Sequence, residues 1–101
     1  MLAALLLAGA CAPATAPVDV SVYPDAAGMP ADVQDFIVRH SDCQHWLGEG
    51  PSDHPARQRE IDRAVRRICP GVDARGARLR ARYAAEPAIV ARLAAFEPLG
   101  Q

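Results

Sequence analysis

Two cysteines in the body of a small chain restrict its fold more than any other feature. Cys43 and Cys69 stand 26 positions apart in a sequence of 101 residues, a length that makes one small domain. Half of the residues are hydrophobic, yet the large aromatic side chains number only one Trp, two Tyr and two Phe. Many of the remaining apolar residues are alanine, which adds little core volume. A domain of this kind buries a modest core and depends on a covalent staple. A Cys43–Cys69 disulfide is that staple, provided the chain reaches an oxidising compartment.

The N-terminus argues for export. Met1 to Ala10 reads as an apolar signal-peptide core ending in small residues, far short of the roughly 20 residues that span a bilayer. No basic residue precedes it, which points to a start further upstream. Ala8-Gly9-Ala10 fits the small-x-small cleavage rule, and Ala8-Gly9-Ala10-Cys11 resembles the lipobox of bacterial lipoproteins, with Ala8 where leucine is usual. A second candidate, Ala14-Thr15-Ala16, is followed by Pro17, which suits a peptidase cleft badly. Three cysteines leave one unpaired; lipidation of Cys11 leaves Cys43 and Cys69 as an even pair. The expected organisation is a signal peptide over 1–10, a Pro/Ala-rich tether over 11–28 and a helical domain over 29–98. Val18-Asp19-Val20-Ser21-Val22 alternates as a strand would but has no partner, so it reads as part of the tether.

The rest reads as helices: an all-α bundle of three to four short segments. Pro30 suits a first turn, with Asp32 and Asp35 near the positive end of the helix dipole. Val33, Phe36, Ile37, His40, Cys43, Gln44 and Leu47 then share one face, and Gly48, Gly50 and Pro51 end the segment. Ser52 or Asp53 caps a second helix, Pro55 stands in its first turn, and Ile61, Ala64, Val65 and Ile68 make its apolar stripe. Pro70-Gly71 stops it just after Cys69. Asp73 reads as the cap of a third helix, 74–85, with Leu79 and Tyr83 inward and Gly76 weakening its first turn. Pro87 opens a short fourth helix with Ile89, Val90, Leu93 and Phe96 on one side.

One geometric difficulty accompanies the staple. Helix two rises about 1.5 Å per residue and carries Cys69 some 20 Å from its own start, whereas a disulfide needs Cα atoms within about 7 Å. A simple hairpin places the two cysteines at opposite poles. Either the connection is longer than Gly48 to Pro51, or the helices cross steeply, or helix one stops near His40.

Rival chemistry is available at the same residues. Cys43, His45 and Cys69 with His54 or His40 are zinc-ligand types, but their spacing matches no compact signature. There is no Cys-x-x-Cys for redox work. His45, Trp46 and Glu49 suggest a general base, an aromatic platform and a carboxylate, without a nucleophile motif, phosphate loop or carboxylate pair beside them. The bland roles are Trp46 covering the disulfide, His45 in solvent and Glu49 bonding loop amides. No catalytic residue, metal ligand or cofactor is assigned.

Charge supplies the remaining signal. The formal net charge is −1, yet residues 1–53 hold one arginine against seven acids, a net of −6, and residues 54–101 hold ten arginines against five acids, a net of +5. Every basic residue is arginine, in the company of abundant Ala, Gly and Pro, as a GC-rich genome produces. Arg57, Arg63, Arg67, Arg75, Arg78 and Arg82 are expected on solvated helix faces. They either pair with local acids or offer a basic surface to an anionic envelope component or an acidic envelope protein. Nucleic acid does not suit an exported chain near neutrality.

Cys43-Gln44-His45-Trp46-Leu47-Gly48-Glu49, then an Arg-rich helix ending in Cys69, then Leu79-Arg80-Ala81-Arg82-Tyr83, resembles small exported bacterial proteins and lipoproteins of unknown function. Their pattern is Cys-x-His-aromatic-x-Gly-Glu, a second Cys, and Leu-x-x-x-Tyr, and it spans about residues 29 to 97. The resemblance brings no activity with it. The reading from sequence is a non-enzymatic binding or structural module of the periplasm or envelope, membrane-anchored through Cys11. The alternative is a small enzyme or metal-binding protein centred on His45 with Cys43 and Cys69.

Overall fold

The computed structural model of the chain describes residues 17–101. The expected signal peptide and the Cys11 lipidation site lie outside them. The described residues form a 3-10 turn, Pro24–Ala26, and four helices: α1 (Ala31–Glu49), α2 (Pro55–Ile68), α3 (Val72–Arg82) and α4 (Pro87–Leu93). No strand is present among them, and no described helix is long and apolar enough to cross a membrane.

α1 is the axis of the fold. Its buried positions, Val33, Phe36, Ile37, His40 and Cys43, recur at helical spacing, and the 3-10 turn, α2 and α3 all pack on it. The stripe ends sooner than the sequence pattern suggests, because Gln44 and Leu47 are exposed where α1 outruns the core. Phe36 and Phe96 meet edge to face with centroids 6.1 Å apart, and the His40 ring stands edge-on to both. Val72, Leu79 and Leu93 complete this cluster.

Gly76 is where α3 crosses α1. A Cβ there would lie 3.0 Å from the Phe36 ring, closer than carbon atoms approach without displacement. The glycine that weakens the helix in isolation thus permits the close packing. Asp73 does not cap α3 by side chain, as the sequence pattern suggests. The residue before the helix is Gly71, in the left-handed region at φ 78°. The Asp73 carboxylate instead accepts the amides of Leu99 and Gln101 at 2.8 Å each. Those bonds, led by that from Leu99, hold its pKa below the ordinary 3.8. The Arg80 guanidinium donates to the carbonyls of Leu93 and Phe96. The last turn of α4 and the segment after it are thereby strapped to α3.

The staple is formed. Cys43 and Cys69 are joined with Cα atoms 5.0 Å apart, and both are fully buried. The difficulty of the opposite poles is resolved by register. α1 does not stop near His40 but runs on to Glu49, placing its end roughly 9 Å beyond Cys43, while α2 needs about 21 Å to reach Cys69. The five residues Gly50 to His54 absorb the difference, since five extended residues reach about 16 Å. They lead past the end of α1, so that the first turn of α2 overhangs it. Ser52 N–H donates to Gln58 Oε1 at 2.8 Å and His54 N–H to Ser52 Oγ at 3.2 Å, which fixes this loop. The Gly50–Pro51 peptide is cis.

The expected tether over 11–28 needs correction in its described part. Ala26 is fully buried, and Val18 and Tyr23 pack against the core. Asp19 organises the approach: its carboxylate accepts the Ser21 hydroxyl and amide at 2.6 and 2.9 Å, and its carbonyl accepts the amides of Val22 and Tyr23. The Ser21 bonds, hydroxyl first, lower the Asp19 pKa. Tyr23 then donates its hydroxyl to Asp42 on α1 at 2.7 Å.

Candidate functional site

The residues proposed for chemistry at His45 are separated by the fold. The sulfurs of Cys43 and Cys69 are bonded to each other inside the core. His40 is 3% exposed, with Nε2 2.7 Å from the Glu97 carbonyl. His45 stands in solvent on the other side of α1, and His54 is exposed before α2. The alternative centred on His45 with Cys43 and Cys69 therefore lacks the convergence a metal needs. Among the described residues no group of three or more His, Cys, Asp or Glu is placed to hold an ion.

His45 and Glu49 do meet, with Nε2 3.3 Å from Oε1 across one helical turn, at exposures of 62% and 36%. A contact this open sits in high dielectric and offers no shielded space for a substrate. Trp46 is half-buried. The Arg57 guanidinium lies over it at 5.2 Å, and the His45 ring stands edge-on at 5.6 Å. Arg57 also pairs with Glu49 and Glu60 at 3.1 and 3.0 Å. Glu60 foremost, then Glu49, raise its pKa above the ordinary value.

The opposed charges of the two halves of the chain resolve into contacts between them. Arg75 pairs with Asp35, Arg82 with Asp32 at 3.2 Å and Arg92 with Asp25 at 3.1 Å. Each joins a basic residue of α3 or α4 to an acid of α1 or the 3-10 turn; Arg57–Glu49 does the same for α2. The Tyr83 hydroxyl donates to Asp32 beside Arg82 at 2.7 Å. Of the six arginines expected on solvated helix faces, Arg57, Arg75 and Arg82 are paired with acids of the molecule.

Arg63, Arg67 and Arg78 are exposed with no carboxylate within ion-pair distance among the described residues. Sequence reasoning omitted Arg59 and Arg66, which are exposed and unpaired in the same sense. Arg59, Arg63 and Arg66 recur at intervals of four and three, opposite the buried Ile61 and Ala64 of α2. Arg67 borders them. The signal was present in the periodicity: the positions left by the Ile61, Ala64, Val65 and Ile68 stripe are filled mostly by arginine.

Beside this face lies a groove of about 360 Å³, lined by Trp46, Leu47, Gly50, Pro51, Ile61 and Val65, with Gln58, Asp62 and Arg66 along its polar side. It lies between the last turn of α1 and the middle of α2. Gln58 donates its amide to Asp62 at 2.9 Å. Arg66 belongs both to the groove and to the arginine face.

Compared with family models, curated proteins and solved structures, the chain finds no match.

Proposed function

We propose that this is a non-enzymatic binding module of the bacterial cell envelope, lipid-anchored through Cys11, which meets an anionic envelope component through the outward face of α2. The observation that carries the reading is the set Arg59, Arg63, Arg66 and Arg67, exposed on one helix with no carboxylate in ion-pair distance among the described residues. The chain uses acids of α1 and the 3-10 turn on Arg57, Arg75, Arg82 and Arg92 and forms no ion pair with this set. Arginine suits carboxylate and phosphate recognition through its planar fork of donors. The buried disulfide accords with an oxidising compartment, and the short apolar start of the sequence with export.

The test is retention on two polyanionic probes, phosphatidylglycerol vesicles and immobilised polyglutamate, each against a neutral control. The expected result is retention on at least one of them that weakens with salt and is lost in the Arg59→Gln/Arg63→Gln/Arg66→Gln/Arg67→Gln variant, whose helix stays intact because glutamine is a good helix former. Equal retention of the variant removes the reading. Transfer of a Cys11→Ser protein from the membrane to the soluble fraction checks the anchor.

A further inference from the structure

The groove between the end of α1 and α2 gives the partner a second chemical requirement. Its walls are apolar: Trp46 and Leu47 from α1, Pro51 from the loop, Ile61 and Val65 from α2. Leu47 is 38% exposed at a place where the helix pattern calls for burial, so apolar surface is left uncovered. The groove is shallow and open along one side, and its volume of about 360 Å³ admits one or two side chains.

Charge is distributed unevenly around it. Asp62 stands on the polar side, held by Gln58, and disfavours an anion there. Arg66 stands on the same side and continues into Arg63 and Arg59. A ligand that satisfies both parts carries an apolar side chain for the groove and carboxylates for the arginines. A lipid phosphate supplies the second and lacks a compact apolar group of that size next to it.

We propose that the groove lined by Trp46, Leu47, Pro51, Ile61 and Val65 receives a single large apolar side chain from an acidic segment of a protein partner, whose flanking carboxylates pair with Arg66 and Arg63. This rests on the anion-binding reading of α2 and adds an apolar anchor to it. The groove supplies burial and specificity, and the arginine face supplies attraction at a distance.

Trp46 is the only tryptophan and forms part of the groove wall, so its fluorescence reports entry directly. The experiment titrates the full chain with three peptides, Glu-Glu-Leu-Glu-Glu, Glu-Glu-Ala-Glu-Glu and Gln-Gln-Leu-Gln-Gln. Phosphatidylglycerol vesicles form a fourth arm. The leucine-bearing acidic peptide is expected to shift Trp46 emission saturably. Burial of a leucine side chain makes it bind about tenfold or more tighter than the alanine version. The glutamine version is expected to bind weakly. Leu47→Asn, an exposed position whose change leaves helix content intact by circular dichroism, is expected to remove the advantage of leucine over alanine.

Equal binding of the leucine and alanine peptides, both lost in the four-arginine variant, overturns the groove and leaves the arginine face standing. Binding to the vesicles alone does the same. Saturable binding of the leucine peptide without a change in Trp46 emission also overturns it. Absence of binding to every probe at low salt removes both proposals.

Discussion

Reduction of the Cys43–Cys69 bridge tests the architecture most directly. The bond ties the middle of α1 to the residue that ends α2, and it closes a loop across a sequence separation of 26. Cross-linking a loop of that size removes chain entropy from the unfolded state worth about 3.5 kcal/mol at 25 °C. A domain of this length has about 5–10 kcal/mol in total, so the bridge represents a third or more of it. At about 4–8 °C per kcal/mol for a small domain, breaking it is expected to lower Tm by roughly 15–25 °C. The assay is thermal denaturation followed by circular dichroism, with and without a phosphine reductant, alongside a Cys43→Ala/Cys69→Ala variant. Alanine is chosen because both positions are fully buried and a serine hydroxyl would be left unpaired there. The reduced protein and the variant are expected to melt together, far below the oxidised protein. An unchanged Tm on reduction, or two titratable thiols in protein recovered from an oxidising compartment, refutes the reasoning.

Gly76→Ala sets a helix-propensity gain of about 1 kcal/mol against an overpacking cost of about 1–3 kcal/mol where a Cβ meets the Phe36 ring. A net loss near 1 kcal/mol is expected in urea denaturation, and a gain would show that Phe36 yields freely. Asp73→Asn is expected to destabilise the protein at neutral pH, because an ionised carboxylate no longer accepts the Leu99 and Gln101 amides. The folded pKa of Asp73 lies below the ordinary 3.8, so its contribution is fully present above that value and is lost as pH falls through the folded pKa. The difference between wild type and variant should therefore close on acidification, as followed by denaturation at stepped pH. Tyr23 and Tyr83 both donate to carboxylates, and those hydrogen bonds, with Asp42 and Asp32 as the leading causes, raise their pKa values above 10.0. The midpoint of phenolate absorbance is expected to lie above that of free tyrosine, and the stability these bonds supply is lost as pH rises through the folded values.

Helix positions were legible because their periods are local. The α1 stripe from Val33 to Cys43 and the breaks at Gly50-Pro51, Pro70-Gly71 and Pro87 follow from spacing and from residues with restricted or permissive backbones. What spacing does not hold is the distant partner. Asp73 looks like a cap because acids favour first turns, but its acceptors serve amides 26 and 28 residues further on. Ala26 and Tyr23 look like tether because alanine and one aromatic make no periodic pattern, yet each fits a particular gap beside α1. For the arginines, sequence establishes exposure and leaves pairing open. Arg75 and Arg63 are indistinguishable until α3 is seen to cross near Asp35. The groove was invisible for a related reason: it sets Trp46 and Leu47 of α1 beside Ile61 and Val65 of α2, a pairing that spacing does not hold.

Chief packing for α2 comes from α1, and the disulfide fixes one end of the contact. The core formed by α1, α3, α4 and the 3-10 turn rests on Phe36, Ile37, Val72, Leu93 and Phe96, none of which α2 contributes. In evolutionary terms the outward side of α2 is a free parameter. Its residues can be rewritten one at a time at little cost to folding, because surface changes away from the core move stability by about 0.5 kcal/mol or less. Over the arginine face, selection on recognition therefore acts on positions that folding leaves free, whereas Ile61 and Val65 of the groove serve both.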